Sequence, residues 1–188
     1  MSRARRIPAG ARPPVKRARL RPAGLCAGAL CLAALALAGC KRTDEATLRA
    51  QLADWVPLGE TVSFTATRDC AAGVFQLVGP RLASRLRSAG SVREAVMILK
   101  SRSQVAIDSR RLSPDAALLE LVEVARAPGM RMRMAGLEGR ACMDRAAEAA
   151  FGAALVNPRA VVIMDVERGI LALLDADDAL LVAAMGAQ

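Results

Sequence analysis

Cysteine, methionine, arginine and carboxylate side chains are the groups with which this chain could do chemistry, because its 188 residues include no histidine. Without imidazole, Ser-His-Asp triads, Cys-His pairs and His-bearing zinc sites are excluded. The sequence has no G-x-S-x-G nucleophile elbow and no glycine-rich phosphate loop. Among its 18 acidic residues, no two are set apart by spacing as a glycosidase acid and base. We therefore predict no catalytic residue and no cofactor.

The segment Met130-Arg131-Met132-Arg133-Met134 alternates apolar and basic residues. Strict alternation is typical of a half-buried strand, so we predict a short strand here with Arg131 and Arg133 on its outer face. The two arginines are also candidates for binding an anion. The Met-x-Met spacing resembles copper(I)-binding methionine clusters, since thioether sulfur suits a soft ion. Methionine more commonly fills gaps in a core, which is the interpretation we prefer.

Three aspartates, Asp175, Asp177 and Asp178, cluster near the C-terminus. Calcium needs about six to eight oxygen ligands and a glycine-bearing loop, and this segment offers neither. A solvated turn that also blunts a sheet edge is the simpler interpretation. We therefore predict no metal site anywhere in the chain.

The net charge of +9 comes almost entirely from one end of the chain. Residues 1–39 carry eight basic side chains and no acidic one, whereas residues 40–188 carry 19 basic and 18 acidic side chains. A basic total normally indicates nucleic acid or an anionic surface as the partner. The larger part of the chain is nearly neutral and poor in the aromatic residues on which bases stack. We therefore predict no nucleic-acid partner.

Residues 1–40 have the layout of an export signal, with a basic region, a short apolar region and small residues before a cysteine. The run Leu37-Ala38-Gly39-Cys40 resembles the lipobox of bacterial lipoproteins, and the resemblance covers this segment only. It implies that residues 1–39 are a signal peptide that is removed, and that Cys40 receives a diacylglycerol and an acylated amino end. Residues 40–43 would then be a lipidated tether, since two or three acyl chains anchor a protein stably in a bilayer.

Three further interpretations of this segment bear on its destination. Residues 22–40 are uncharged and nearly long enough to span a membrane without cleavage, although their alanine and glycine content makes them weakly hydrophobic. Arg5-Arg6 fits a twin-arginine export signal, but Pro8 stands where that family prefers a large apolar residue. In enteric lipoproteins an aspartate after the lipidated cysteine favours the inner membrane. Lys41 at that position therefore implies the outer membrane, with the protein facing the periplasm.

The cysteine count follows from this processing. Cys26 and Cys31 would leave with the signal and Cys40 would carry lipid, so Cys70 and Cys142 remain. An even pair in an oxidising compartment predicts one disulfide. The alternatives are that both thiols are free, or that the pair has a metal or redox function. The spacing of the two cysteines is not that of a C-x-x-C redox motif.

Hydrophobic periodicity predicts a single α+β periplasmic domain over residues 44–188. Its first half is predicted to contain a helix and a hairpin. The helix starts at Asp44, is capped by Thr43 and ends at Pro57. The hairpin comprises strands over 62–67 and 74–78, a turn at Ala71-Ala72-Gly73, and Cys70 at its end.

The second half is predicted to be mainly helical before a C-terminal meander. Ser91 with Glu94 forms a capping box that begins a helix over 92–102. Ser113-Pro114 begins another helix, which Pro128-Gly129 ends. The remaining predicted elements are a long helix over 137–156, bearing Cys142 in its first turns, and antiparallel strands over 160–166, 170–174 and 179–184.

These observations favour a membrane-anchored, periplasm-facing lipoprotein of the cell envelope that is not an enzyme. We expect it to act as an assembly accessory or partner-binding protein. Its partners would be the lipid bilayer, through acylated Cys40, and an envelope protein. One alternative is a periplasmic module that binds a small ligand or anion through arginine side chains. The other is a hydrolase that works with carboxylates alone.

Overall fold

In the computed structural model, the first described residue is Thr43, and a helix begins two residues later at Glu45. The structure describes residues 43–187. Helix α1 spans Glu45–Ala53, and its N-cap is Asp44, whose Oδ1 accepts the Thr47 N–H at 2.7 Å. The predicted cap at Thr43 is therefore wrong by one residue, because Asp44 is itself a preferred N-cap residue and its carboxylate accepts the N–H three residues on. The pKa of the Asp44 carboxyl lies below its ordinary range, because it accepts hydrogen bonds from the side chain and the backbone of Thr47.

The hairpin is present with a different turn. Strand β1 spans Leu58–Ala66 and strand β2 spans Ala71–Leu77, so Ala71-Ala72-Gly73 belongs to a strand rather than to the predicted turn. The reversal lies at residues 67–70, where the Thr67 hydroxyl accepts the N–H groups of Asp69 and Cys70 at 3.2 Å each. Such side-chain-to-backbone bonds stabilise a tight turn without glycine, which is why the turn signal at Gly73 misleads.

A small parallel unit follows the hairpin. Strand β3 spans Ser88–Ala89, helix α2 spans Val92–Leu99 and strand β4 spans Gln104–Ile107, with β3 and β4 paired in parallel. The sequence indicates the helix but neither strand. Ser91 accepts the Glu94 N–H as predicted, and Glu94 accepts the Gly90 N–H at 2.8 Å. The capping box is thus formed with its return bond shifted by one residue.

Three helices then follow in close succession. Helix α3 spans Pro114–Val124, α4 spans Arg126–Arg140 and α5 spans Arg145–Val156. The predicted strand over 130–134 is wrong, because arginine, methionine and alanine are good helix formers and Pro128 is tolerated in the first turn of α4. The predicted single helix over 137–156 is also wrong. The chain breaks at residues 141–144, and Asp144 caps α5 by accepting the Ala147 N–H at 2.7 Å.

The C-terminal meander is confirmed. Strands β5, β6 and β7 span Val161–Asp165, Ile170–Asp175 and Leu180–Met185. The seven strands form one sheet in the order β1-β2-β7-β6-β5-β4-β3, and every neighbouring pair except β3 and β4 is antiparallel. The described chain is a single α+β domain, which confirms the predicted fold class.

Alternate residues of the sheet pack against two different layers. Along β6, Leu171 and Leu173 face a core shared with helices α2–α5, which we call the helix layer. Ile170, Ala172 and Leu174 face a second core, which contains Leu48 and Leu52 of α1 and which we call the α1 side. Because both faces are covered, β5, β6 and β7 are buried along almost their whole length.

The Cys70–Cys142 disulfide is present and joins the sheet to the helix layer. Cys70 lies in the β1–β2 turn, and Cys142 lies in the turn between α4 and α5. Their Cα atoms are 5.9 Å apart, an ordinary separation for a disulfide. The predicted disulfide therefore forms, although Cys142 sits between two helices and not within one.

Candidate functional site

The outer surface of α4 exposes three large apolar side chains in one row. Met130, Met134 and Leu137 are 42%, 43% and 57% exposed. Their spacing of four and three residues places them on one stripe of the helix. Large apolar side chains grouped on a surface mark an interaction site more often than single ones do.

A row of arginines runs beside this apolar row. Arg126, Arg133 and Arg140 are seven residues apart, so they line up along one flank of the stripe over about 21 Å. Arg140 also forms an ion pair with Glu148 of α5. We call the three apolar and three arginine side chains together the α4 face.

The opposite flank of the α4 face is held by contacts to the sheet. Arg131 donates from Nη2 to the Glu167 carbonyl oxygen at 2.8 Å. Glu138 is the one acidic residue of α4, and its Oε2 accepts the Ala187 N–H at 2.9 Å. Glu138 is therefore held near the C-terminal end of the described chain, on the flank opposite to Arg126, Arg133 and Arg140.

The inner surface of α4 is built from small residues. A Cβ on Gly129 would lie 2.5 Å from the Val122 nitrogen of α3, and one on Gly139 would lie 2.6 Å from the Ala184 Cβ of β7. Glycine is thus required for α4 to approach both neighbours this closely. Met132 is the large residue that α4 does bury. The helix consequently places small residues inside and several of its large apolar residues outside.

A small pocket of about 140 Å³ opens next to Leu137, and we call it the α4 pocket. It lies among α3, α4 and α5. Its base and sides include the apolar side chains of Leu118, Phe151, Leu155 and Leu171, and the charged side chains of Arg133, Arg140 and Asp115 also line it. Phe151 and Leu171 are almost fully buried, so the base of the pocket is part of the core. The α4 face therefore combines an apolar row and a flank of arginines, and the α4 pocket opens beside it.

The sequence does not predict this site, because the alternation over residues 130–134 indicates a strand. The helical conformation places Met132 in the core and leaves Met130 and Met134 outside, so their sulfurs do not gather as a copper site requires. Arg131 and Arg133 likewise separate, one toward the sheet and one toward the α4 pocket. The signal that would have found the site is the helical spacing of Met130, Met134 and Leu137.

The aspartates near the C-terminus serve the β6–β7 turn. Asp175 is buried, and it accepts the Asp177 N–H at 3.0 Å and two bonds from the Asn157 amide at 3.0 and 3.2 Å. Asp177 pairs with Arg159 at 2.7 Å. The expected solvated turn that blunts a sheet edge is wrong in two respects, because Asp175 is buried at the end of β6 and because β6 and β7 are interior strands of the sheet. Asp175 instead holds the turn together through its hydrogen bonds. Within residues 43–187, no group of three or more Cys, Asp or Glu residues is placed to hold a metal ion.

Cys40, the predicted site of lipid attachment, lies outside the described residues, as do the predicted signal peptide and the first three residues of the tether. Over the described part of the chain, no helix is both long and apolar enough to cross a membrane.

Comparison of the chain with models of protein families, with curated proteins and with solved structures gives no match.

Proposed function

We propose that this chain is a lipid-anchored protein of the bacterial envelope whose folded domain is a non-enzymatic binding module. The observation that carries the proposal is the α4 face, because a row of exposed apolar side chains beside a basic flank matches the composition of binding surfaces. Arginine and methionine are both enriched at the cores of protein interfaces.

The anchor is proposed at Cys40 on the lipobox residues Leu37-Ala38-Gly39-Cys40. Helix α1 begins at Glu45, five residues further on, so the extended chain can reach at most about 18 Å from the lipid to the domain. The domain would therefore stay near the bilayer. The Cys70–Cys142 disulfide supports an oxidising compartment outside the cytoplasm.

The architecture supports a division between anchoring and binding. The chain enters the domain at α1, which packs on the α1 side of the sheet, whereas α4 packs on the opposite side. A domain held by the α1 side would leave the α4 face accessible to a protein partner. We propose that this partner is another envelope protein and that the anchored domain faces the periplasm from the outer membrane.

The anchor is tested by the intact mass of protein extracted from membranes without a reducing agent. We expect a mass equal to residues 40–188 plus acyl groups, less two protons for the disulfide. A Cys40→Ser variant should appear in the soluble envelope fraction. The unmodified mass of the full chain would contradict the lipid anchor, and recovery in inner-membrane vesicles would contradict the outer-membrane location.

Binding is tested by formaldehyde cross-linking in intact bacteria that make the protein natively. We expect a discrete adduct larger than the monomer that disappears when the cross-links are reversed by heat. A protein that remains monomeric at every formaldehyde dose would contradict the binding module. The result does not depend on which surface of the domain is used.

A second candidate function, the binding of a small anion, is favoured by a hollow of about 490 Å³ between the end of α2 and the β5–β6 turn. This volume lies in the range of small-ligand sites. Arg102, Ser101 and Ser103 line the hollow together with one carboxylate, that of Glu167. Phosphate and a set of dicarboxylates should then raise the unfolding temperature of the wild type and not of Arg102→Gln. An unchanged unfolding temperature across the set would exclude this candidate.

A further inference from the structure

We propose that the α4 face receives an acidic amphipathic helix of a partner protein, and that one large apolar side chain of this helix fills the α4 pocket. The inference rests on the proposed binding module, and it specifies the surface that binds and the chemistry of what binds there. Three features of this surface support it: its shape, its charge and the α4 pocket.

The shape of the surface fits a helix. The apolar row from Met130 to Leu137 is about 10 Å long, which equals two helical turns. A helix presents its own apolar residues at intervals of three and four, so a facing helix of two or three turns can match the whole row. The pocket lies among α3, α4 and α5, and grooves between helices receive the ridges of another helix.

The charge of the surface requires acidic residues on the partner. Helix α4 contributes Arg126, Arg131, Arg133 and Arg140 against the single acid Glu138. From the neighbouring helices, Glu148 pairs with Arg140 and Asp115 lines the α4 pocket, so the pairing with a partner depends on Arg126 and Arg133. Arg126 is exposed and Arg133 lines the α4 pocket, on the same flank of the apolar row. Carboxylates on the corresponding flank of a partner helix would pair with these arginines and set its direction and register.

The α4 pocket provides the specific contact. Its volume of about 140 Å³ is close to that of a cavity of about 150 Å³ that holds a benzene ring. One leucine or phenylalanine side chain therefore fits. Apolar anchors that enter a desolvated pocket carry most of the free energy of a protein interface. Phe151 and Leu171 supply the apolar surface for that contact.

A membrane surface fits this region less well than a protein helix. Helices that lie in the bilayer interface bury an apolar face rich in Trp, Phe and Leu, and of these α4 exposes Leu137 alone. A lipid surface also has no fixed side chain to enter the pocket. In addition, α4 lies on the side of the sheet opposite to α1, where the chain arrives from the proposed anchor.

The experiment is site-specific photo-crosslinking of the full chain in the bacterium that makes it, with p-benzoylphenylalanine as the probe. The probe replaces Met134 on the α4 face in one strain and Met97 of α2, which is 61% exposed, in the control strain. We expect a protein adduct at position 134 and not at position 97. Mass spectrometry of the adduct should identify a partner segment with apolar residues at intervals of three and four and carboxylates on one flank.

Charge variants in the same strains test the pairing. Arg126→Glu with Arg133→Glu should lower the yield of the adduct at position 134 by about tenfold, and Arg93→Glu on α2 should change it by less than about twofold. Reversing the carboxylates of the identified partner segment to lysine should restore the adduct of the double variant. Unchanged unfolding temperatures of these surface variants would show that the loss is not a loss of folding.

Each contrary outcome has a distinct meaning. Adducts at position 97 but not at position 134 would overturn the inference and leave the binding module standing. A phospholipid adduct at position 134 would assign the α4 face to the membrane instead. An adduct with a segment that lacks acidic residues would also overturn the inference. Monomers under both photo-crosslinking and formaldehyde would end the inference and the proposed function together.

Discussion

The α1 side and the helix layer cover the same sheet in different ways. On the α1 side, Leu48, Leu52, Trp55 and Phe75 are all at most 1% exposed. In the helix layer Met132 and Leu121 are equally buried, yet seven of the nine exposed large apolar residues of the described chain lie on α2–α5. The large side chains of the α1 side are therefore buried, whereas the helix layer both covers the sheet and presents apolar surface outward.

Helix α4 shows how a single helix can cover the sheet and also expose large apolar side chains. Its glycines allow close contact with α3 and β7, so its burial does not depend on large side chains. Glycine inside a helix costs about 1 kcal/mol relative to alanine. This cost is offset by the packing that the close approach permits. The large residues Met130, Met134 and Leu137 then lie outside, where they add little to the stability of the monomer.

The disulfide joins the β1–β2 turn of the sheet to the helix layer, and its removal is expected to have the largest effect. Cys70→Ser with Cys142→Ser should lower the free energy of unfolding by about 4 kcal/mol, because the cross-link restricts a 72-residue separation in the unfolded chain. Denaturant unfolding checks this value. Reducing agent should destabilise the wild type by a similar amount and leave the double variant unchanged. Equal stability of the oxidised wild type and the double variant would contradict the expectation.

Paired methionine substitutions test the two surfaces of α4 directly. Met132→Ala should cost about 3 kcal/mol, because it removes a fully buried side chain and leaves a cavity. Met134→Ala, two residues away, should change stability by less than about 0.5 kcal/mol. Thermal unfolding of both variants under identical conditions provides the comparison. Equal losses at the two positions would mean that α4 does not have distinct inner and outer surfaces.

Two glycine-to-alanine substitutions test the same packing, because they are expected to change the stability of the fold in opposite directions. Gly129→Ala should destabilise by about 2 kcal/mol, because the new Cβ meets the backbone of Val122 at 2.5 Å. Gly152→Ala in α5 should stabilise by about 0.5 kcal/mol, because nothing lies within 4 Å of that Cβ and alanine favours helix. Chemical denaturation measures both. Stabilisation by Gly129→Ala would remove the packing argument for α4.

The smallest expected effect is on the α1 side, at the helix cap. Because hydrogen bonds from Thr47 lower the pKa of Asp44 in the folded state, the ionised carboxylate stabilises α1 above the unfolded pKa, near 3.8. This stabilisation should be lost as pH falls through the lower folded pKa. Asp44→Asn should keep the cap and lack that pH dependence, and Asp44→Ala should lack both. The free energy of unfolding of each protein is measured between about pH 7 and pH 2. A parallel loss of stability in the wild type and in Asp44→Asn would contradict this expectation.

Local sequence signals identified much of the fold. Ser91 and Ser113 accept the backbone N–H groups that helix capping requires, and α2 and α3 begin directly after them. The C-terminal meander follows its run of apolar residues and turn signals. These signals succeed because caps and turns depend on contacts between residues at most four apart. Strands β3 and β4 were not predicted, because two- and four-residue strands carry too little pattern to read.

What the sequence by itself determined is the α+β class, the caps at Ser91 and Ser113, the meander and the cysteine pair, together with the lipobox pattern on which the proposed anchor depends. The tertiary structure alone decided that residues 130–134 are helical and that Met132, and not Met130 or Met134, is buried. A five-residue alternation favours a strand by its period of two, but it is too short to outweigh the packing of the surrounding chain. The contacts of Gly129 with α3 and of Gly139 with β7 favour the helix, and these depend on the packing of separate elements. The α4 face and its pocket follow from that packing.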